Sequence, residues 1–219
     1  MPSVLLFDVN ETLLDLGALD PAFERAFGTA DARRTWFATL KELFLTQTVV
    51  GAYDDFARLA AAALDLESAR RATPPGDAVA ILEQITALPA HPEVDASLAR
   101  LSGAGWRLAA LTNGTAEAVA KQLGYAAIAD HFEAALSADA VRRYKPAPEP
   151  YRWACDRLGV APGDVVMVAA HAWDLAGAAA VGLGTAFVSR GAGWPSVFAP
   201  PDVTGRDLAE VADRLLERG

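Results

Sequence analysis

The chain has 219 residues, of which 53% are hydrophobic and 21% charged, with a net charge of −9. This is the composition of a globular chain, long enough for one core domain with a sizeable insertion or for two small domains. The acidic balance disfavours nucleic acid or an anionic membrane as a partner, because phosphate binding needs concentrated Lys and Arg, yet it leaves room for a small anionic substrate.

The first element is Val4-Leu5-Leu6-Phe7, an unbroken apolar run that ends in Asp8. Such a run reads as a strand covered on both faces, as in a parallel sheet. Ligands of open α/β sheets bind beyond the carboxyl ends of the strands, so Asp8 is a candidate nucleophile, base or metal ligand. The start of the chain lacks the basic segment and long apolar run of a signal peptide, and no later run reaches membrane-spanning length. A cytoplasmic enzyme is the expectation.

From Asp15 to about Pro89 the pattern is helical. Ala32 to Phe44 and Asp54 to Leu66 place apolar residues at three- and four-residue intervals, with Asp54 or Asp55 as a cap for the second. Thr73-Pro74-Pro75-Gly76-Asp77 reads as a break, and Ala78 to Thr86 as another short helix. Helix and strand then alternate. Pro92 to Ser102 is predicted helical, Trp106 to Leu111 a strand followed by Thr112-Asn113-Gly114, and Ala116 to Leu123 a helix. Phe132 to Ser137 reads as a short strand, Lys145 to Pro150 as a proline-stiffened loop, and Tyr151 to Leu158 as a helix. That helix carries the single cysteine, Cys155, so no internal disulfide can form, and a small buried side chain is its expected role. Asp164 to Ala170 is a buried strand with His171-Ala172-Trp173-Asp174 at its end. Leu175 to Val181 is helical, and Thr185 to Ser189 is the final predicted strand. The alternation implies an α/β fold, a doubly wound parallel sheet with helices on both faces and an inserted helical segment.

The polar residues gather at strand ends. Asp8 and Asn10 follow the first strand, Thr112 and Asn113 the second, and His171 and Asp174 a third. Singly, each reads as a turn former or helix cap, and Lys145 as a solvated charge. Their joint order is harder to explain that way.

Asp8-x-x-x-Thr12, Thr112-Asn113-Gly114, Lys145-Pro146 and Ala172-Trp173-Asp174-x-x-Gly177-Ala178 resemble the four motifs of the haloacid dehalogenase superfamily. The form of the last motif and the short helical insertion look most like the type II 2-haloacid dehalogenases. The resemblance implies a Rossmann-like core of residues 1–14 and 90–219 and a cap of residues 15–89. It implies a hydrolase in which Asp8 is the nucleophile. Thr12, Thr112 and Asn113 would position its carboxylate and the substrate. Lys145 would neutralise charge near Asp8, and Asp174 would hold Lys145 or orient the attacking water. No cofactor is implied, and a homodimer is plausible by the same resemblance.

The chemistry separates the branches of that superfamily. Its phosphatases need Mg²⁺, a hard cation that takes oxygen ligands, several of them carboxylates. They carry a second acid two residues after the nucleophile and another five residues before the final Asp. Here those positions hold Asn10 and Ala169. A halide leaves carbon without a proton, and a carboxylate can displace it to form an ester that water cleaves. A metal-free dehalogenase is the expectation; a phosphatase with an atypical metal site and a fold without catalysis are the alternatives. Aromatic residues of the cap such as Trp36, Phe37 or Phe44 are expected to exclude water and cradle the halide. Phe37 stands where that branch has an arginine after a tryptophan, so Arg33, Arg34 or Lys41 is a candidate replacement cation. Asn10-Glu11 replaces Tyr-Gly in the first motif, and His171 replaces an asparagine. His171 would hydrogen-bond Asp8 or help activate water, or else fill the asparagine's role as a neutral donor. His91 and His131 are expected in surface or capping roles.

Overall fold

The computed structural model describes residues 3–73 and 78–218. The expected break at 73–77 therefore lies almost wholly outside the described residues. The sheet has six parallel strands in the order β3-β2-β1-β4-β5-β6. These are β1 (Val4–Phe7), β2 (Arg107–Thr112), β3 (Ala134–Ser137), β4 (Val165–Ala169), β5 (Gly184–Val188) and β6 (Val203–Gly205). β1 lies at the centre, paired in parallel with β2 on one side and β4 on the other. Its four side chains are fully buried, as a strand covered on both faces requires.

The alternation of side chains sorts them into two cores. Leu5 and Phe7 face α5 (Val94–Gly103) and α9 (Leu208–Leu216), while Val4 and Leu6 face α7 (Pro148–Leu158) and α8 (Ala172–Ala180). α6 (Ala116–Tyr125) packs beside β3. Cys155 is buried in the second core, as expected of a small apolar side chain.

Between Leu14 and Ala90 the chain forms α1 (Asp20–Phe27), α2 (Ala32–Val49), α3 (Phe56–Arg71) and α4 (Ala78–Gln84). The segment leaves and returns at one point, where Leu14 bridges Ala90 and Asp15 N donates to Pro89 O at 2.9 Å. α2 presents Trp36, Leu40 and Phe44 on one face, and they pack against Leu59, Ala60, Ala63 and Leu64 of α3. The small alanines let Trp36 Nε1 donate to Ala60 O at 3.0 Å. Asp55, not Asp54, caps α3, its carboxylate accepting from Ala57 N at 2.8 Å.

Two elements depart from the sequence reading. Thr185 to Ser189 is not the last strand, since β6 pairs with β5 at Ala186↔Val203 through Val188↔Gly205. A three-residue edge strand is too short to show periodicity, and its pairing rests on α9 covering it. α2 also continues past Phe44 to Val49, where the last turn carries apolar residues into solvent and the inward pattern ceases.

Candidate active site

Asp8, Thr112 and the residues after Ala169 lie at the carboxyl ends of adjacent strands because β2, β1 and β4 are parallel neighbours in register. Asp8 N donates to Val168 O at 3.0 Å, continuing the ladder one residue past β1 and fixing where the carboxylate starts. Thr12 Oγ1 donates to Asp8 Oδ2 at 2.7 Å and accepts from Ala170 N at 2.9 Å. Arg190 holds the same loop from behind, donating to Thr12 O at 2.7 Å and to Glu93 Oε1 at 2.7 Å.

Lys145 is fully buried, not solvated. Its Nζ donates to Asp8 Oδ1 at 2.9 Å, Asp174 Oδ2 at 2.6 Å and Leu111 O at 2.8 Å. An ammonium has three N–H groups, and all three are used. Asn113 holds the lysine main chain in place, with Oδ1 accepting from Lys145 N at 2.8 Å and Nδ2 donating to Lys145 O at 3.2 Å. Thr112 Oγ1 accepts from Gly114 N at 3.0 Å and shapes the turn. From α7, Tyr151 OH donates to Asp174 Oδ1 of α8 at 2.5 Å. Gly177 is where α8 meets the lysine loop; a Cβ there would lie 2.6 Å from Pro146 O and 2.8 Å from Tyr151 Oη.

The electrostatics follow from this packing. Burial acts to raise the pKa of Asp8, but the Lys145 charge, with His171 beside it, outweighs burial and holds the carboxyl well below its ordinary range. Burial likewise acts to lower Lys145, and the charges of Asp174 and Asp8 reverse it, so the ammonium is held above its ordinary value. Asp174 is pushed up by burial and by the Asp8 charge, against the pull of Lys145. Asp8 is thus the ionised oxygen donor of the cluster and Lys145 its fixed counter-charge.

His171 lies on the other side of Asp8. Its Nε2 is 2.7 Å from Glu11 Oε2, and its Nδ1 is 3.5 Å from Asp8 Oδ2, too far for a formed hydrogen bond. Burial would lower its pKa, but the two carboxylates outweigh burial and push it up to about 9. Glu11 is in turn held below its usual range, burial being overcome by His171 and by the Lys41 and Arg33 charges. Glu11 has a φ of 63°, the left-handed region that a glutamate rarely adopts. That conformation costs on the order of 1 kcal/mol. It is what brings the carboxylate to His171. Glu11 is not among the expected site residues, although its place in a glycine position of the first motif was the available signal.

The cavity above Asp8 is lined by Asn10, Phe37, Phe44, Phe56, Thr112, Asn113, Lys145, His171 and Trp173, and it measures about 20 Å³. Phe37, Phe44, Phe56 and Trp173 form the apolar part of its wall, and the space suits one water or a very small ligand. Of the candidate cations none lines it. Arg33 pairs with Asp20 and lies 3.5 Å from Glu11 Oε1, Arg34 is exposed beside Asp31, and Lys41 Nζ sits over the Phe37 ring, 5.0 Å from its centroid. Trp36 is buried between α2 and α3 and does not line the cavity. His131 pairs with Asp95 at 2.8 Å, away from the site. A larger cavity of about 480 Å³ opens among Ser3, Trp106, Val166, Gly184 and Leu215 at the opposite edge of the sheet, so volume alone does not locate the chemistry.

The donor set does not fit a divalent cation. Among the described residues no three His, Cys, Asp or Glu side chains gather as metal ligands, and the position beside Asp8 and Asp174 is filled by an ammonium. No helix among the described residues is long and apolar enough to cross a membrane.

A sheet-end aspartate paired with a buried lysine under helices defines a hydrolase of known kind. The chain belongs to the haloacid dehalogenase-like hydrolase family, whose model matches residues 2–182. It is 33% identical to (S)-2-haloacid dehalogenase 4A of Burkholderia cepacia over 94% of this chain and 91% of that protein. It is 32% identical to (S)-2-haloacid dehalogenase 1 of Pseudomonas sp. (strain CBS-3) over 84% of this chain and 83% of the relative. Among solved structures, a dehalogenase aligns with a TM-score of 0.93 at 30% identity, covering 98% of this chain and 97% of that one. A dehalogenase in an intermediate complex aligns with a TM-score of 0.92, also at 30% identity, covering 97% of this chain and 96% of that one.

Proposed function

We propose that this protein hydrolyses small 2-haloacids through an ester on Asp8. The observation that carries the reading is the Lys145 ammonium, 2.9 Å from Asp8 and 2.6 Å from Asp174 in a site without metal ligands. It keeps Asp8 anionic, and a carboxylate so held can attack carbon. An Asp8 oxygen forms a bond to the halogen-bearing carbon as the carbon–halogen bond breaks, and the halide takes the bonding pair. No proton is needed for that departure, so Asn10 can stand where a phosphatase needs an acid.

The ester carries no charge, and one of the two anions facing His171 is thereby lost. Its pKa falls and the imidazolium gives its proton to solvent. Neutral His171, held by Glu11, then takes a proton from water as the hydroxide adds to Cγ of the ester. The alkoxide leaves and receives the proton from His171. The new Asp8 carboxylic acid then reprotonates His171, which restores the resting pair. The net change is haloacid plus water to hydroxyacid, halide and a proton.

The aromatic walls exclude bulk water and limit the substrate to a few carbons. The test is a halide-release screen over chloro-, bromo- and fluoro-acetates and propionates, with and without EDTA. Release that EDTA leaves intact, with ¹⁸O from labelled water on Asp8 after a single turnover, is the expected result. Release lost with EDTA, or an unlabelled Asp8, would overturn the mechanism.

A further inference from the structure

Several of the side-chain N–H groups lining the cavity are already used, while Trp173 Nε1 and His171 Nδ1 are buried without a partner among the described residues. Lys145 has no free N–H, Asn113 is held on the lysine main chain, and His171 Nε2 faces Glu11. Asn10 differs. Its Oδ1 accepts from Gln122 Nε2 at 3.0 Å, while its Nδ2 has no partner among the described residues. That orientation is dictated from behind. Gln122 on α6 is 2% exposed, and its Nε2 also donates to Ile85 O at 2.9 Å. A carbonyl can only accept, so Gln122 must turn its NH₂ group toward Ile85. The second N–H of that group then meets Asn10, which must present its oxygen. The Asn10 NH₂ group is left for the cavity that the residue lines.

We infer that Gln122 is a positioning residue that, acting through Asn10, aims an N–H donor at an anionic end of the bound substrate. The inference rests on the 2-haloacid reading. The recognised chemistry is an anion that accepts a hydrogen bond, either the carboxylate, charged throughout, or the halide, which gains charge as its bond breaks. A neutral amide suits that place. An acid would repel the anion, and a lysine would compete with Lys145 for Asp8. Ile85 belongs to the helical segment between Leu14 and Ala90, so the donor is oriented only when that segment is seated over the sheet edge.

The test compares Asn10→Ala, Gln122→Met and the double variant, with thermal midpoints recorded for each. A lost hydrogen bond to a charged group predicts an effect of about tenfold or more on KM or kcat in each single variant. A KM effect together with weaker inhibition by the hydroxyacid product assigns the carboxylate. A kcat effect together with weaker inhibition by bromide assigns the halide. In the Asn10→Ala background, Gln122→Met should have no further effect, because it acts through that amide. Gln122→Glu provides a second probe: a carboxyl has at most one O–H, which Ile85 O takes, and its remaining oxygen draws Asn10 Nδ2 off the cavity, with the same loss. Equal losses from Gln122→Met with and without Asn10, or unchanged kcat, KM and inhibition, would overturn the inference. Those results would leave the 2-haloacid reading standing, whereas no halide release by the unaltered protein would remove that reading itself.

Discussion

Replacing Glu11 with Gln separates the two chemical steps. The substitution keeps the shape and removes the charge that faces His171 Nε2 at 2.7 Å. His171 is held up at about 9, against burial, by Asp8 and Glu11 acting together. Without Glu11 its midpoint moves back toward the ordinary value of about 6.5, a change limited by solvent screening, since the Glu11 side chain is 32% exposed. Base catalysis by a positioned histidine contributes about 10²- to 10⁴-fold, and a histidine that keeps its place but loses its orienting anion should forfeit part of that, about 10- to 100-fold. Ester formation uses Asp8 and Lys145 and should change by less than about threefold. In rapid-quench experiments the variant should release about one halide per active site quickly, then turn over slowly. Mass spectrometry of the Asp8 peptide should show the accumulated ester. A variant that slows both steps equally, or accumulates no ester, would refute the role assigned to the pair.

Lys145→Met should abolish halide release and destabilise the fold by about 3–5 kcal/mol, because Asp8 and Asp174 lose the charge between them; denaturant unfolding measures it. Gly177→Ala should cost about 1–3 kcal/mol and lower kcat, since its methyl group would push α8 off Pro146 and Tyr151; a normal unfolding midpoint would contradict the close approach. His171 has a folded pKa raised above 6.5, so its contribution to stability is complete below 6.5 and fades as pH rises through about 9. Unfolding free energies of the wild type should therefore fall by about 3 kcal/mol more than those of His171→Asn between pH 6 and pH 10, and parallel curves would count against the raised value.

The central strands were readable because a buried parallel strand must be apolar throughout, and Val4–Phe7 and Val165–Ala169 are. The grouping of Asp8, Lys145 and Asp174 was readable because their order along the chain resembled four motifs, three of them at strand ends and the lysine in a proline-stiffened loop. The single residues were not. Lys145 alone looks like any surface lysine, and only the packing of α7 and α8 around it removes it from water. Asn113 was expected at the substrate; it lines the cavity, and its amide also holds the Lys145 main chain, a contact the sequence did not indicate. Glu11, Gln122 and Arg190 were passed over because each acts through contacts with residues far away in the chain.

Local order along the chain therefore determined that an anionic oxygen would stand at the rim of a parallel sheet, because strand burial and turn chemistry are properties of neighbouring residues. Tertiary structure alone decided which charges face that oxygen. An ion pair between positions 8 and 145, or a carboxylate at 11 meeting an imidazole at 171, depends on distances that no local pattern encodes.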